Sequence, residues 1–254
     1  MEVDPRRRFS GRAEYYDVYR PKYPETLLTY LRETLSLSPR SVVADIGSGT
    51  GILTELLLKN GNTVLAIEPN HDMRMTAEAR LSGYPTFKSI NASAESTTLP
   101  NDSVDFIIAA QSFHWFQPEP TNLEFRRILR LNGWVVLIWN TRKTSTPFLQ
   151  AYDSLVAWIA GHRKNRVKHE DFTDSAVTEF LGRCEAVKLE NSQRLDFDGL
   201  AGRLMSASYS PLPGQELYQD LIGRARELFD RYEKNGTVEF LYWTEVYAGK
   251  LRQT

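Results

Sequence analysis

The chain has 254 residues, of which 31 are Lys or Arg and 32 are Asp or Glu, so its formal net charge is -1. A protein that binds nucleic acid by neutralising phosphates needs a basic surface, and this balance of charges argues against that class. With 41% hydrophobic and 25% charged residues, the composition is that of a globular protein with a sizeable core, and it excludes disorder as the main state.

The composition also predicts where the chain works. No apolar run approaches the roughly 18 residues that a membrane helix needs, so we expect no membrane insertion. The charged first residues are followed by no apolar stretch, so we expect no secretory signal. The single cysteine, Cys184, excludes a disulfide framework and a Cys-rich zinc site, and we expect no metal centre. A reducing cytoplasm is the predicted compartment.

The first half of the chain alternates between short apolar strands and amphipathic helices. Strands are predicted at 41–46, 63–67, 86–90, 104–110 and 134–139. Helices are predicted from Ile52 to Asn60–Gly61, from the N-cap Asn70 to Arg80, and from about Pro118 to Asn132–Gly133. Apolar strands separated by helices indicate a parallel sheet covered on both faces, and right-handed crossovers make it a doubly wound, Rossmann-like α/β layer.

The second half is less regular. Helices are predicted at 147–162, 172–181 and 214–234, and strands at 186–195 and 237–247. The basic stretch 162–169 is interpreted as a solvated loop or helix end. The two late strands complete a sheet of seven strands, mostly parallel with one antiparallel strand. Residues 10–35, rich in Tyr and Arg, are placed outside the core.

These elements predict a single domain. In chain order it comprises an N-terminal helical cap (1–38), a ligand-binding core (40–140), a C-terminal insertion of acceptor-side helices with one strand (141–236), and a final strand (237–254).

The motif DIGSGTG, residues 45–51, follows the first strand and opens a helix, where nucleotide-binding loops are found. Its glycines let the backbone turn tightly and approach a ligand without an intervening Cβ. The dinucleotide pattern G-x-G-x-x-G requires glycine at position 52, which is Ile52, so a nicotinamide-dependent oxidoreductase is disfavoured. The loop also lacks the lysine with which a Walker motif anchors a triphosphate.

Two acidic residues predict the ligand. Asp45, beside the glycines, would repel a pyrophosphate but can accept hydrogen bonds from an ammonium group. Glu68 follows the second strand, 21 residues after Gly47, where a carboxylate reaches the hydroxyls of a ribose. A ligand with ribose hydroxyls and an α-amino group but no phosphate satisfies both. S-adenosylmethionine has this combination and is the predicted cofactor.

The sequence resembles the class I S-adenosylmethionine-dependent methyltransferases, especially the type 11 branch that includes trans-aconitate and ubiquinone C-methyltransferases. The resemblance covers residues 9–140 and rests on VVADIGSGTG, AIEPN, ASAESTTLPNDSVDFIIAAQSFHWF and RRILRLNGWVVLIWN. It implies a methyltransferase that releases S-adenosylhomocysteine. A non-catalytic protein of the same fold that binds either compound is the alternative.

The resemblance implies that the cofactor lies along the ends of the first four strands. The implied contacts are Asp45, Gly47, Ser48, Gly49, Gly51, Glu68, Pro69, Ser93, Ala94, Glu95 and Gln111. The glycines pass under the methionine portion, Glu68 binds the ribose, and Pro69–Asn70 and Ala94–Glu95 flank the adenine. Many relatives have Asp where this chain has Ser93, whose hydroxyl is a weaker acceptor. Asp45 either supports the loop or the amino group of the ligand or only caps the following helix, and Gln111 contacts either the ligand or the loop.

The remaining candidates are Tyr16 and Arg20, which are predicted to bind the cofactor, and residues of the acceptor side. In the cap, Tyr16 and Arg20 share a helix face, and Arg20 either pairs with the carboxylate of the cofactor or belongs to an aromatic surface helix. After the fourth strand, Trp115 suits a pocket wall, and His114 is either a general base or, as we favour, a structural histidine. The further candidates for acceptor binding are Trp139, Asn140, Arg203, Ser206 and Tyr209.

We therefore expect methyl transfer to a small-molecule acceptor, a small acid or a hydroxylated metabolite, by in-line displacement. Proximity and orientation are expected to supply most of the acceleration. We expect no nucleic-acid partner, since no Asn-Pro-Pro-Tyr-type motif follows the fourth strand. The chain is expected to be a monomer or a homodimer.

Overall fold

The structure is a computed structural model that describes residues 13–162, 174–207 and 209–251. Residues 1–12 of the predicted cap and 163–169 of the basic stretch lie outside the described residues. The described helices are α1 (Ala13–Tyr19), α2 (Glu25–Glu33), α3 (Ile52–Lys59), α4 (His71–Leu81), α5 (Pro118–Ile128), α6 (Pro147–Gly161), α7 (Asp174–Leu181), α8 (Phe197–Met205) and α9 (Tyr218–Tyr232). Among them, none has the length and apolar character needed to cross a bilayer.

The strands of the described residues form one seven-stranded sheet. They are β1 (Val42–Ile46), β2 (Thr63–Ile67), β3 (Phe87–Ile90), β4 (Val104–Ala110), β5 (Leu129–Arg142), β6 (Cys184–Leu195) and β7 (Val238–Gly249). Their order is β3-β2-β1-β4-β5-β7-β6, and β7 runs antiparallel to both of its neighbours while the other pairs are parallel. The predicted doubly wound sheet with one antiparallel strand is confirmed. The strand order reverses between β1 and β4, which opens a crevice at their carboxyl ends.

Buried side chains alternate between the two faces of the sheet. On β1, Val43 belongs to an apolar cluster on one face, whereas Ala44 and Ile46 belong to a cluster on the other. Both faces are therefore covered, as continuous apolar strands require. A third cluster joins α6, α8 and α9 to the first half of β7, and Tyr152 and Phe240 lie at its centre.

The expectation that residues 10–35 lie outside the core is wrong for α2. Leu27 and Leu31 of this helix are both 0% exposed and pack in the same cluster as Val43. They are four residues apart and therefore lie on one face of the helix. The segment ETLLTYLRE has this amphipathic pattern. The many Tyr and Arg residues around it led to the prediction that the whole segment lies at the surface.

The predicted end of the helix at Asn132–Gly133 is also wrong, because α5 ends at Ile128 and β5 begins at Leu129. Asn132 has a left-handed φ of 64°, and the register of β5 against β4 shifts on either side of it. A Cβ on Gly133 would lie 2.7 Å from the carbonyl oxygen of Asp105. The Asn-Gly pair therefore forms an irregularity within a strand rather than a helix end.

Helix α8, which the sequence analysis did not identify, connects the insertion to the cap. The side chain of Asp196 accepts a hydrogen bond from the Gly199 amide at 2.8 Å and caps its first turn. The ring of Tyr19 in α1 lies directly over Gly202 of α8, in the space that a Cβ would occupy. Helix α1 is thereby held against the insertion.

We predict that Gly202→Ala destabilises the packing of α1, whereas Gly223→Ala in α9 stabilises the chain. Alanine at 202 would displace the Tyr19 ring, and overpacking of this kind costs about 1–3 kcal/mol. A Cβ on Gly223 would meet nothing within 4 Å, so only the helix propensity changes, by about 1 kcal/mol in favour of alanine. Urea unfolding of both variants measures the difference, and equal effects would contradict the packing of Tyr19 on Gly202.

Candidate functional site

A cavity of about 830 Å³ lies at the carboxyl ends of β1, β2 and β4, and residues of α1 and α8 also line it. Most residues predicted for the site line this cavity: Tyr16, Arg20, Asp45, Gly47, Ser48, Gly49, Glu68, Pro69, Asn70, Ser93, Ala94, Glu95, Gln111, His114, Trp115, Asn140, Arg203 and Tyr209. Residues that are up to 193 positions apart in the chain, from Tyr16 to Tyr209, thus meet at one site.

Three predicted residues are not on the cavity wall. A Cβ on Gly51, at the start of α3, would lie 2.7 Å from Leu81, so this glycine lets α3 pack closely on α4. Trp139 packs edge-on against Phe113 in the core of the sheet, because side chains alternate along β5 and its neighbour Asn140 takes the cavity side. Ser206 is fully buried, and its hydroxyl donates to the carbonyl of Arg203 at 2.7 Å.

The glycine loop needs glycine for two different reasons. Gly47 and Gly49 both have left-handed φ values, 68° and 59°. A Cβ on Gly47 would lie 2.5 Å from the Cβ of Ser112, so the absence of a side chain lets the loop pack against the segment after β4. A Cβ on Gly49 would meet nothing within 4 Å. Gly49 lines the cavity, so the space beside its Cα is open.

The buried carboxylate of Glu68 connects the glycine loop after β1 to the segment before α4. Its Oε2 accepts a hydrogen bond from the Gly49 amide at 2.9 Å, and its Oε1 accepts one from the Asn70 amide at 2.7 Å. Burial raises the pKa of Glu68, although these amides and Arg74 oppose the shift. A carboxylate has about four lone-pair sites, so two protein bonds leave acceptor capacity for ribose hydroxyls.

Asp45 is almost completely buried at the end of β1. Its Oδ2 accepts a hydrogen bond from the hydroxyl of Thr54 at 2.6 Å, which joins β1 to the first turn of α3. Burial raises the pKa of Asp45 to about 7, the bond from Thr54 opposes this shift, and the nearby charge of Glu68 adds to it. Asp45 therefore braces the helix and also lines the cavity, so the two alternatives for its role are compatible.

The segment after β4 is held by hydrogen bonds to β1 and β5. Ser112 donates its hydroxyl to the Ile46 carbonyl at 2.7 Å, and Gln111 donates its amide to the Asn140 carbonyl at 3.3 Å. A 3₁₀ turn at Phe113–Trp115 follows, in which the rings of His114 and Trp115 lie 4.7 Å apart. Gln111 therefore bonds within the site while it also lines the cavity.

Two further chain segments line the cavity. Asn70 caps α4, because its side-chain oxygen accepts a hydrogen bond from the Met73 amide at 3.1 Å, as its predicted N-cap role requires. The carboxylate of Glu95 accepts a hydrogen bond from the Gln117 amide at 3.0 Å, which fixes the start of α5. Ser93 and Ala94, before Glu95, complete this side of the cavity.

The cap supplies a tyrosine and an arginine that contact each other. The guanidinium of Arg20 lies 4.8 Å from the ring centre of Tyr16, and it donates a hydrogen bond to the Ser206 carbonyl at 3.2 Å. Burial, followed by the positive charge of Arg203, lowers the pKa of Arg20. The predicted shared helix face is therefore present, and it faces the cavity.

The cavity is also lined by residues that were not predicted, among them Tyr23, Ser112 and Arg142. Tyr23 lies three residues after Arg20 in the segment RPKYP. The two prolines of this segment were the only sequence feature that could have pointed to it. Ser112 directly follows the predicted Gln111. Arg142 lies beyond the predicted end of the fifth strand, and a correct end for β5 would have brought it to the same edge.

We predict that Asp45→Asn changes how stability depends on pH. Because the folded-state pKa of Asp45 is raised from 3.8 to about 7, the folded chain binds more protons than the unfolded chain in this window, so its stability falls as pH rises through it. Asparagine keeps an acceptor for Thr54 and removes this titration.

Urea unfolding at about pH 5 and about pH 8 measures the effect of this substitution. Between these two pH values the free energy of unfolding of the unsubstituted chain should fall by about 2–3 kcal/mol more than that of Asp45→Asn. The exposed Asp220, in the first turn of α9, provides the control, and Asp220→Asn should show the same pH dependence as the unsubstituted chain. Parallel pH profiles for Asp45→Asn and the unsubstituted chain would contradict the raised pKa.

Comparison with known proteins identifies the family. A family profile described as "Methyltransferase domain" matches residues 44–137. An uncharacterised methyltransferase of Mycobacterium tuberculosis is 35% identical over 220 residues, which are 87% of this chain and 84% of that protein. An uncharacterised methyltransferase of Schizosaccharomyces pombe is 28% identical over 92% of this chain and 93% of that protein.

Solved structures share the fold. A candidate type II methyltransferase from Anaeromyxobacter dehalogenans has a TM-score of 0.66 at 22% identity and covers 93% of this chain and all of its own. A SAM-dependent methyltransferase from Geobacter sulfurreducens, solved with S-adenosyl-L-homocysteine, has a TM-score of 0.54 at 19% identity over 95% of this chain and 96% of its own. With these relatives and this fold, the chain belongs to the type 11 branch of the class I S-adenosylmethionine-dependent methyltransferases.

Proposed function

We propose that the chain transfers a methyl group from S-adenosylmethionine to a small-molecule acceptor by in-line displacement. The observation that carries this proposal is a single cavity with two chemically different sides. The glycine loop and Glu68 line one side, while aromatic and guanidinium groups from α1, α8 and the segment after β4 line the other. The volume of about 830 Å³ lies within the usual range for small-molecule sites.

The residues around the glycine loop fit S-adenosylmethionine. Glu68 has acceptor capacity for the ribose hydroxyls, and the open space at Gly49 allows a ligand to lie against the backbone. Pro69 and Ala94 supply surfaces for the adenine, and Arg20 supplies a partner for the methionine carboxylate. The Geobacter neighbour holds S-adenosyl-L-homocysteine in the same fold, which supports this assignment.

When bound, the cofactor supplies an electrophilic methyl group on a sulfonium. The chain needs to align an acceptor with that group and to exclude water, and alignment can supply most of the barrier reduction. Tyr16 and Trp115 provide apolar walls that exclude water, and they are also suited to contact a sulfonium. Helix α1, held over the cavity by its contact with Gly202, favours an acceptor that fits inside.

His114 has a defined place in this proposal. It lines the cavity beside Trp115, so it can accept a proton if the acceptor is a hydroxyl group or an acidic carbon. An acceptor that is already an anion needs no such base. The nearly balanced charge of the chain supports a small molecule rather than a nucleic acid as acceptor.

We predict that Gly49→Leu abolishes binding of S-adenosylmethionine and leaves the chain folded. The leucine side chain would occupy the space beside the loop that the ligand needs. Gly236→Leu is the matched control, because Gly236 also has a left-handed φ, 74°, with nothing within 4 Å of an added Cβ, and it does not line the cavity. Calorimetric titration measures both variants.

Binding by Gly236→Leu should match that of the unsubstituted chain, with a similar small loss of stability in both variants from backbone strain. Unchanged affinity in Gly49→Leu would contradict the placement of the cofactor on this loop.

We predict that Glu68→Gln weakens S-adenosylmethionine binding by roughly 1–3 kcal/mol, the cost of losing hydrogen bonds to a charged acceptor. Glutamine keeps one acceptor oxygen, but its amide nitrogen would face one of the two backbone N–H groups and cannot accept a hydrogen bond from it. Glu190→Gln on the outer strand β6, where the carboxylate is 80% exposed, should bind normally. Equal affinities for the two variants in calorimetry would show that Glu68 does not contact the ribose.

A further inference from the structure

The guanidinium groups of Arg20 and Arg203 both line the cavity and interact with each other, and neither has a carboxylate partner among the described residues. Arg203 in α8 is only 8% exposed, and Arg20 is partly buried at the end of α1. Neither forms an ion pair with any carboxylate of the described residues, whereas the neighbouring Arg142 is paired with Asp153. Burial, followed by the positive charge of Arg203, lowers the pKa of Arg20, and the two cations therefore repel each other.

The hydrogen bonds of these two groups are also incomplete. The Nε atoms of Arg20 and Arg203 are buried and have no acceptor among the described residues. Arg20 donates from Nη2 to the Ser206 carbonyl, and Arg203 makes a long contact of 3.4 Å from Nη1 to the Ser206 hydroxyl and also interacts with Tyr242. A buried cation with an unsatisfied donor is costly unless an anion accompanies it.

The surroundings of Arg203 hold it in place without neutralising it. Arg203 is near the phenol groups of Tyr152, Tyr209 and Tyr242, and of these it interacts most strongly with Tyr242. Arg203 and Tyr209 both line the cavity. This side of the cavity therefore presents a fixed positive charge within an aromatic wall.

We infer that Arg203 binds a carboxylate of the methyl acceptor. The inference deepens the proposed function and rests on it in one respect: Arg20 is occupied by the methionine carboxylate of the cofactor, which leaves Arg203 for the acceptor. The planar fork of a guanidinium matches a carboxylate in two parallel hydrogen bonds. Of the two acceptor classes expected from the sequence, a small acid and a hydroxylated metabolite, these contacts select the acid.

A carboxylate fits the site better than a phosphate does. A phosphate brings up to two negative charges and three acceptor oxygens, whereas Arg203 offers a single buried fork with tyrosine rings around it. An acid with an apolar body can place its carboxylate on Arg203 and its body against Tyr16 and Tyr209.

The test is calorimetric titration of the full chain saturated with S-adenosylhomocysteine. The probes are glutarate and phenylacetate, their neutral counterparts glutaramide and phenylacetamide, and inorganic phosphate. We expect at least one acid to bind, with its amide and phosphate at least tenfold weaker. Arg203→Met should weaken binding of that acid at least tenfold, and Arg203→Lys, which keeps the charge without the fork, should have an intermediate effect.

Two controls separate the possible failures. Arg194→Met removes an arginine that is 74% exposed on β6, and it should bind the acids as the unsubstituted chain does. S-adenosylhomocysteine is titrated first. A failure of that titration contradicts the proposed function alone, since titration of the acids into the unloaded chain still tests Arg203.

The inference is overturned if acids and amides bind equally, if no acid binds, if phosphate binds more tightly than both acids, or if Arg203→Met binds the acids normally. If Arg203→Met fails to fold, Arg203→Lys and the comparison of acid with amide on the unsubstituted chain decide the question.

Discussion

The geometry of the site depends on one buried carboxylate. The two oxygens of Glu68 accept hydrogen bonds from the amides of Gly49 and Asn70, and so they tie the loop after β1 to the start of α4. Without Glu68 these two amides would lose their acceptor, a penalty of about 1–3 kcal/mol for each that stays buried. The carboxylate thus orders the loop before any ligand arrives, which reduces the entropy lost on binding.

The regular half of the fold could be predicted because its signals are local. The strands at 63–67 and 104–110 are apolar runs bounded by polar residues, and their observed bounds are identical to the predicted ones. Asn132–Gly133 was misassigned because the same residue pair is typical of a helix end and of a strand irregularity, and only the contact with Asp105 distinguishes them. Helix α8 contains two glycines, which weaken its helical signal, and tertiary contacts stabilise it.

The two sides of the cavity differ in how far sequence can predict them. Residues near the glycine loop lie in contiguous motifs at strand ends, so the sequence order already brings them together. Residues of the acceptor side come from α1, β5 and α8, and packing alone decides which of them face inward. Trp139 and Asn140 were both candidates, but neighbouring residues on a strand point to opposite faces, so Asn140 lines the cavity while Trp139 packs in the core.

The place of β7 between β5 and β6 has a consequence for the order of events during synthesis. Strand β6 leaves the ribosome before β7, yet the described sheet offers it no other neighbour. Until β7 is made, β5 and β6 both present unpaired edges, and residues 135–138 of β5 are ones that the completed sheet buries fully. Such edges invite pairing with other chains. The nascent chain is therefore most exposed to misassembly over the interval between β6 and the end of β7, when chaperone protection would matter most.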